Sequence, residues 1–346
     1  MLVKKRGKSS LWVSLALLLG ASACGNLSND DLLFLSAVPK AEEVEMTIYR
    51  QSAAGQALTF AEAAPKDAEY YSLSASLAGN FNVGVEGLLQ FVDSLGKGYP
   101  PTRRTENERI WGPVRNVDRR GFTLQLEIQR QLGEEGAPRF VFCLYVGRDE
   151  EITGEAPACG APEANGFASM LSGHYDPKSQ EGGARSGDGA LELDFEAALH
   201  AGAGKPEDRG VITLTYDFSG DGASKQIHIE TAKPVGVGES ESLRFDYGRT
   251  QAGHVDFSFS LGNFLDAKLA SGKRQDITLE ASWQEGAAGR ADAVLRRGDL
   301  LTGQHAAATE CWDAQAKRTY LWGAIYQNGV QQLLFANEGD ARSCPE

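Results

Sequence analysis

Two short stretches carry residue types that could do chemistry. In "DFSGDG", Asp217, Ser219 and Asp221 stand at the spacing of the first ligands of a calcium loop, followed by Gly222. Such a loop needs a bidentate acidic residue at its twelfth position, and that position is His228. Strand patterns flank the stretch, so a tight polar hairpin turning at Asp221-Gly222 is the simpler expectation, with no metal bound. In "SLGK", Ser94 and Lys97 have the SxxK spacing in which a lysine helps to deprotonate a nucleophilic serine. The accompanying S-D-N and K-T-G elements are missing, and the end of a helix accounts for the match.

The histidines, His174, His200, His228, His254 and His305, form no HExxH or other ligand pair. His228 and His254 fall on the wet side of their strands, with Glu230 and Asp256 two positions on. Solvated strand residues are expected there rather than a surface metal site. No GxSxG elbow or phosphate-binding loop is present. Arg103, Arg104 and Arg109 gather in "PPTRRTENERIWGP". This local positive charge could hold an anion, but it reads more simply as exposed linker charge. With neither a catalytic constellation nor a cofactor motif, a non-enzymatic role is expected, and an envelope hydrolase with an unrecognised site is the alternative.

Five cysteines remain: Cys24, Cys143, Cys159, Cys311 and Cys344. None forms a CxxC pair, which argues against zinc. Cys24 ends the stretch "LLLGASACGN". Upstream of it lie Lys4, Lys5, Arg6 and Lys8, then an uncharged apolar run from Ser9 to Ala23 that is shorter than the roughly 20 residues of a bilayer span. That is a secretory signal, residues 1–23. Ala21-Ser22-Ala23 offers an ordinary cleavage site, while small residues directly before a cysteine resemble the lipobox of bacterial lipoproteins. In those proteins the sulfur carries a diacylglycerol, and here Ala21 replaces the commonest leucine. An odd cysteine count in an exported chain needs explaining, and a lipid on Cys24 leaves an even set for disulfides. The sequence-local pairing, Cys143 with Cys159 and Cys311 with Cys344, is expected. Gly25 and Asn26 lack the acidic residue linked to inner-membrane retention, which points to the outer membrane.

The chain has 34 basic and 47 acidic residues, a net charge of −13. Cleavage before Cys24 removes four basic residues and no acidic ones, giving −17. Such a surface repels phosphate backbones, so nucleic acid is not an expected partner. The lipid anchor makes the membrane one partner, and an apolar ligand or a protein is the other candidate.

Positioning elements follow from periodicity. Residues 24–66 read as a lipidated N-terminus and tether, with a short helix at "NDDLLFLSAV" capped by Asn29; the same segment could instead pack on the main domain. Tyr70, Leu77, Phe81, Val85, Leu88, Val92 and Leu95 recur at helical spacing, so one long helix is expected over 67–95, capped by Asp67. Gly79, Gly84 and Gly87 weaken that helix or mark a close approach. From Glu108 onward the period becomes two, with short turns, among them the hairpin pair Asn328-Gly329. No crossover-length helix intervenes, so the strands should form an antiparallel meander. Ile212, Leu214, Tyr216 and Phe218 share one face, as do Val255, Phe257, Phe259 and Leu261.

The expected fold is α+β and mainly β. One antiparallel meander sheet, curved or open-barrel-like, packs around the long N-terminal helix in a single domain, residues 67–346. At "NLSNDDLLFLSAVP" and "PPTRRTENERIWGP" the chain resembles uncharacterised predicted lipoproteins of myxobacterial type, which implies the anchor and no activity. The resulting expectation is a cell-envelope lipoprotein with a binding or structural role. One variant is a carrier of an acyl chain or lipid in a cavity between sheet and helix, an idea that fails if Phe218, Phe257 and Phe259 fill that space.

Overall fold

The computed structural model describes residues 27–48, 66–115, 121–133, 136–161, 163–178, 185–200, 210–219, 224–236, 239–265 and 273–345. Its helices are α1 (Asn29–Leu35), α2 (Ala41–Val44), α3 (Glu69–Gly98) and α4 (Phe195–His200). The first strands are β1 (Arg103–Arg104), β2 (Glu108–Arg115), β3 (Phe122–Leu132), β4 (Pro138–Arg148), β5 (Phe167–Pro177), β6 (Gly187–Asp194) and β7 (Val211–Phe218). They continue as β8 (Lys225–Gly236), β9 (Glu239–Arg249), β10 (His254–Leu265), β11 (Arg274–Gln284), β12 (Gly289–Leu295), β13 (Gln304–Trp312), β14 (Arg318–Gln327) and β15 (Val330–Gly339).

All fifteen strands pair antiparallel in chain order, so the sheet is an uninterrupted meander with β1 and β15 as open edges. The two faces follow the period-two pattern. Leu214, Tyr216, Phe218, Val255, Phe257 and Phe259 are buried in the main core cluster with Ile227, Ile229, Phe245 and Tyr247. Opposite them runs a polar row in which His228 faces Asp246 and Asp246 faces Ser258 across β8, β9 and β10.

The long helix covers the dry face, but it is the third helix and not the N-terminal one, and it runs three residues beyond the expected end. Tyr71 packs on Trp283 and Trp312, Phe81 on Phe245, and Phe91 near Leu124. The helix therefore crosses the sheet from β13 to β3. Its 30 residues span roughly 45 Å at 1.5 Å per residue. Strands lie about 4.8 Å apart, so that length covers about nine or ten strand spacings. β14 and β15 lie outside that reach. In the first half of the helix the buried stripe falls on Tyr71, Ser74, Ala75 and Ala78, one position from the expected Tyr70 and Leu77, because the small residues go where the backbone meets the sheet. A Cβ at Gly79, Gly84 or Gly87 would meet open space, whereas one at Gly96 would meet the Leu35 side chain.

Asp67 does not cap this helix; it forms an ion pair and an isolated bridge with Lys317. The cap comes from β13. Fully buried Glu310 accepts the N–H groups of Glu69 and Tyr70 at 2.9 and 2.5 Å, satisfying two donors that a helix start leaves open. Burial pushes the Glu310 carboxyl above its ordinary range, against the pull of those N–H groups and of Arg318.

Residues 27–48 lie against the domain, the second of the two readings open for this segment. Ser28, not Asn29, is the N-cap of α1, in a capping box with Asp31. Phe34, Ala37, Val38, Val44 and Met46 are buried. The stretch "ALELDFEAAL" alternates like a strand, but β6 ends at Asp194, where α4 begins. Two strands with weak alternation, β5 and β13, went unread: "FASMLSGHYDP" pairs β4 through a bulge, and "QHAAATECW" is alanine-rich.

Candidate interaction surface

The two expected disulfides are formed: Cys143 on β4 to Cys159 in the β4–β5 loop, and Cys311 on β13 to Cys344 near the C-terminus. Cys24 lies outside the described residues. The four cysteines among those residues are therefore paired with one another.

Of the calcium-loop residues, Asp217 accepts from Lys178 at 2.8 Å, and Ser219 bonds with Ser224 across the β7–β8 turn; Asp221 lies outside the described residues. His228, at the twelfth position, is hydrogen-bonded to Asp246 at 2.6 Å. Burial raises the Asp246 pKa, but the His228 and Arg244 contacts outweigh it and hold the carboxyl below its ordinary value. Ser258 donates to the same carboxylate at 3.2 Å. His254 lies in a different cross-strand row, opposite Gln284, with Ser282 at 3.1 Å and Asp256 at 3.2 Å. The structure thus separates the two histidines and leaves each on an exposed sheet face. Among the described residues no group of three His, Cys, Asp or Glu side chains is arranged to hold a metal ion. Lys97 pairs with Asp93 at 2.8 Å and Ser94 is exposed.

Of the arginine cluster, Arg103 and Arg104 are exposed as expected, though on β1 rather than a linker, and Arg109 is not. Arg109 is buried and donates to Asp31 at 2.8 Å and to Asp30, and its guanidinium lies 4.5 Å from the Phe34 ring centroid. Arg104 donates to Asp31 at 3.2 Å. Asp31 is fully buried, and burial alone would raise its pKa. Hydrogen bonds from Arg104, Ser28 and Arg109 outweigh that and lower it to about 2. Further along the same segment Arg185 pairs with Glu43, Lys225 donates to the carbonyls of Glu42 and Glu45, and Tyr247 donates to that of Thr47. These cations are occupied in holding the N-terminal segment.

The most distinctive free surface is the β14–β15 hairpin. Thr319 to Asn337 carries no charged side chain in a chain that is 23% charged. β15 is the outermost strand, and Val330, Leu333, Leu334 and Phe335 are 62%, 53%, 44% and 54% exposed. Leu333 stands opposite Ile325, and Leu334 opposite Ala324. On the other side of β14, Trp322 packs on Tyr326, which stacks on His305 with centroids 5.3 Å apart. Unpaired backbone groups along β15 adjoin apolar side chains, the combination from which a further strand can be added. Sequence reading passed over this surface because alternation identifies a strand without saying whether it ends at an edge. The unbroken uncharged run was the available signal.

Two pockets bear on the carrier idea. One of about 40 Å³ between α3 and the sheet, lined by Tyr71, Trp283 and Trp312, has room for a few waters. Another, of about 250 Å³ between α2 and α3, is lined by Glu42, Glu45, Asn82 and Glu86, a poor seat for an acyl chain. Phe218, Phe257 and Phe259 are buried in the core between sheet and helix. No protein-family profile, curated protein or solved structure matches the chain.

Proposed function

We propose that this chain is a cell-envelope lipoprotein that acts as a non-enzymatic binding module, engaging a protein partner through the open β15 edge. The signal pattern of residues 1–23 and the small residues before Cys24 support the anchor, as does the pairing of the other four cysteines. The absence of an acidic residue at Gly25 and Asn26 supports the outer membrane. Twist accumulated over fifteen strands curls the sheet over α3 without closing it.

One observation carries the binding role: an exposed ten-residue edge strand, uncharged from Val330 to Asn337, with Leu333, Leu334 and Phe335 on it. Proteins blunt such edges unless something pairs with them. The partner is therefore a protein that lays an apolar extended segment along β15. The test is a photo-crosslinking residue at Leu333 or Phe335, compared with one at Glu280 on the polar sheet face, in intact cells. A discrete adduct at 333 and 335 but not at 280 is expected, and an adduct of twice the chain mass would identify a second copy as the partner. Equal behaviour at all three positions would sink the proposal.

A further inference from the structure

The surface beside Cys24 has a second job, an inference that rests on the lipid-anchor reading above. Only Gly25 and Asn26 separate Cys24 from Leu27, and Ser28 already caps α1. An extended chain reaches at most about 3.6 Å per residue, so the start of α1 lies within roughly 15 Å of the Cys24 backbone. α1 is fixed to the domain in turn. Asp31 is held by Arg104 and Arg109, Phe34 is fully buried beneath Arg109, and Leu35 packs at Gly96 near the end of α3. A domain so joined to its lipid cannot swing far from the bilayer.

The side chains on this surface suit that position. Leu32 and Leu33 are 45% and 46% exposed, on a helix whose Asp31, Phe34 and Leu35 are buried against the domain. Leu132 is 83% exposed, two residues beyond Arg130, whose guanidinium lies 5.8 Å from the Phe34 ring centroid. Arg103 and Arg104 on β1 are half-exposed but already ion-paired, Arg103 with Glu108 and Arg104 with Asp31, so the leucines carry the fit to a bilayer. Exposed leucines a few residues from a lipid attachment match the boundary between headgroups and acyl chains, where apolar side chains sink.

We infer that α1, through Leu32 and Leu33 with Leu132, is a membrane-docking surface that seats the domain directly on the bilayer holding the Cys24 lipid. The anchor then fixes an orientation as well as a location.

The test uses the full lipidated chain with Leu33→Cys, or Leu32→Cys as the second variant, carrying a nitroxide label. A matching Leu333→Cys chain is labelled at the other end of the sheet. Intact mass first establishes the diacylglyceryl group on Cys24, and the chains are bound to phosphatidylethanolamine–phosphatidylglycerol vesicles. On binding, the label at 33 is expected to become more accessible to oxygen than to a water-soluble nickel chelate, while the label at 333 keeps the reverse order. A lipidated, vesicle-bound chain whose labels at 32 and 33 stay as water-exposed as that at 333 overturns the docking surface and leaves the anchor standing. A chain that matures without the lipid overturns the anchor and the docking surface with it.

Discussion

The sheet has two edges, and they are built differently. β1 is two residues long and both are arginines; buried Asp31 of α1 ties half-exposed Arg104 and buried Arg109 to the N-terminal segment. β15 is ten residues long, without charge from Val330 to Asn337, and exposed along nearly its whole length. Short strands, charge and cover are the ordinary means of keeping an edge from pairing. The β1 edge uses all three, whereas β15 carries charge only at Glu338, next to its end. The difference teaches that the open edge is a consequence of fold length: a helix of roughly 45 Å spans about ten strands, and the N-terminal segment covers the end near α3's C-terminus. A chain that avoided association would have placed lysines on β15.

The comparison can be broken at either end. The largest effect is expected from Asp31→Ala, which leaves buried Arg109 with only the half-exposed Asp30 as its carboxylate partner. Removing one partner of a buried pair costs about 3 to 5 kcal/mol, read as a lower urea midpoint with crosslinking at β15 unchanged. Glu310→Ala removes the cap of α3 from the opposite end. A lost cap with a neighbouring buried cation should cost about 2 to 3 kcal/mol by thermal unfolding.

Acid titration sharpens the contrast, because the two buried carboxylates shift in opposite directions. Asp31, lowered to about 2, binds its proton less readily folded than unfolded. Its stabilisation is full above the unfolded pKa near 4 and is lost as pH falls toward 2, about 2 kcal/mol in all. Glu310 is raised by burial, so its ionisation penalty is relieved as pH falls through its folded pKa. Unfolding free energies of the wild type and Asp31→Asn, measured between pH 5 and pH 2, should converge at the acid end. Parallel curves would mean that Asp31 does not carry the effect. The smallest change in stability is expected from Leu333→Lys, within about 0.5 kcal/mol because the site is half-exposed. The same variant should abolish the crosslink at Phe335, and a retained crosslink would separate the edge from binding.

Much of this architecture is local and was legible in the residues. Period two marks β7 and β10, helical spacing marks α3, Asn328-Gly329 marks the last hairpin, and short loop separations favour the two disulfides that form. Those signals depend on contacts within a turn or between neighbouring strands. What the sequence could not supply depends on partners far away in the chain. Glu310 caps a helix 241 positions earlier, Arg109 is buried by Asp31 78 positions earlier, and β5 and β13 are strands mainly because their neighbours are. Which strands lie beyond the helix, and so which apolar residues stay wet, was decided only by the number of strands set against the length of one helix, a quantity that exists only once the chain has folded.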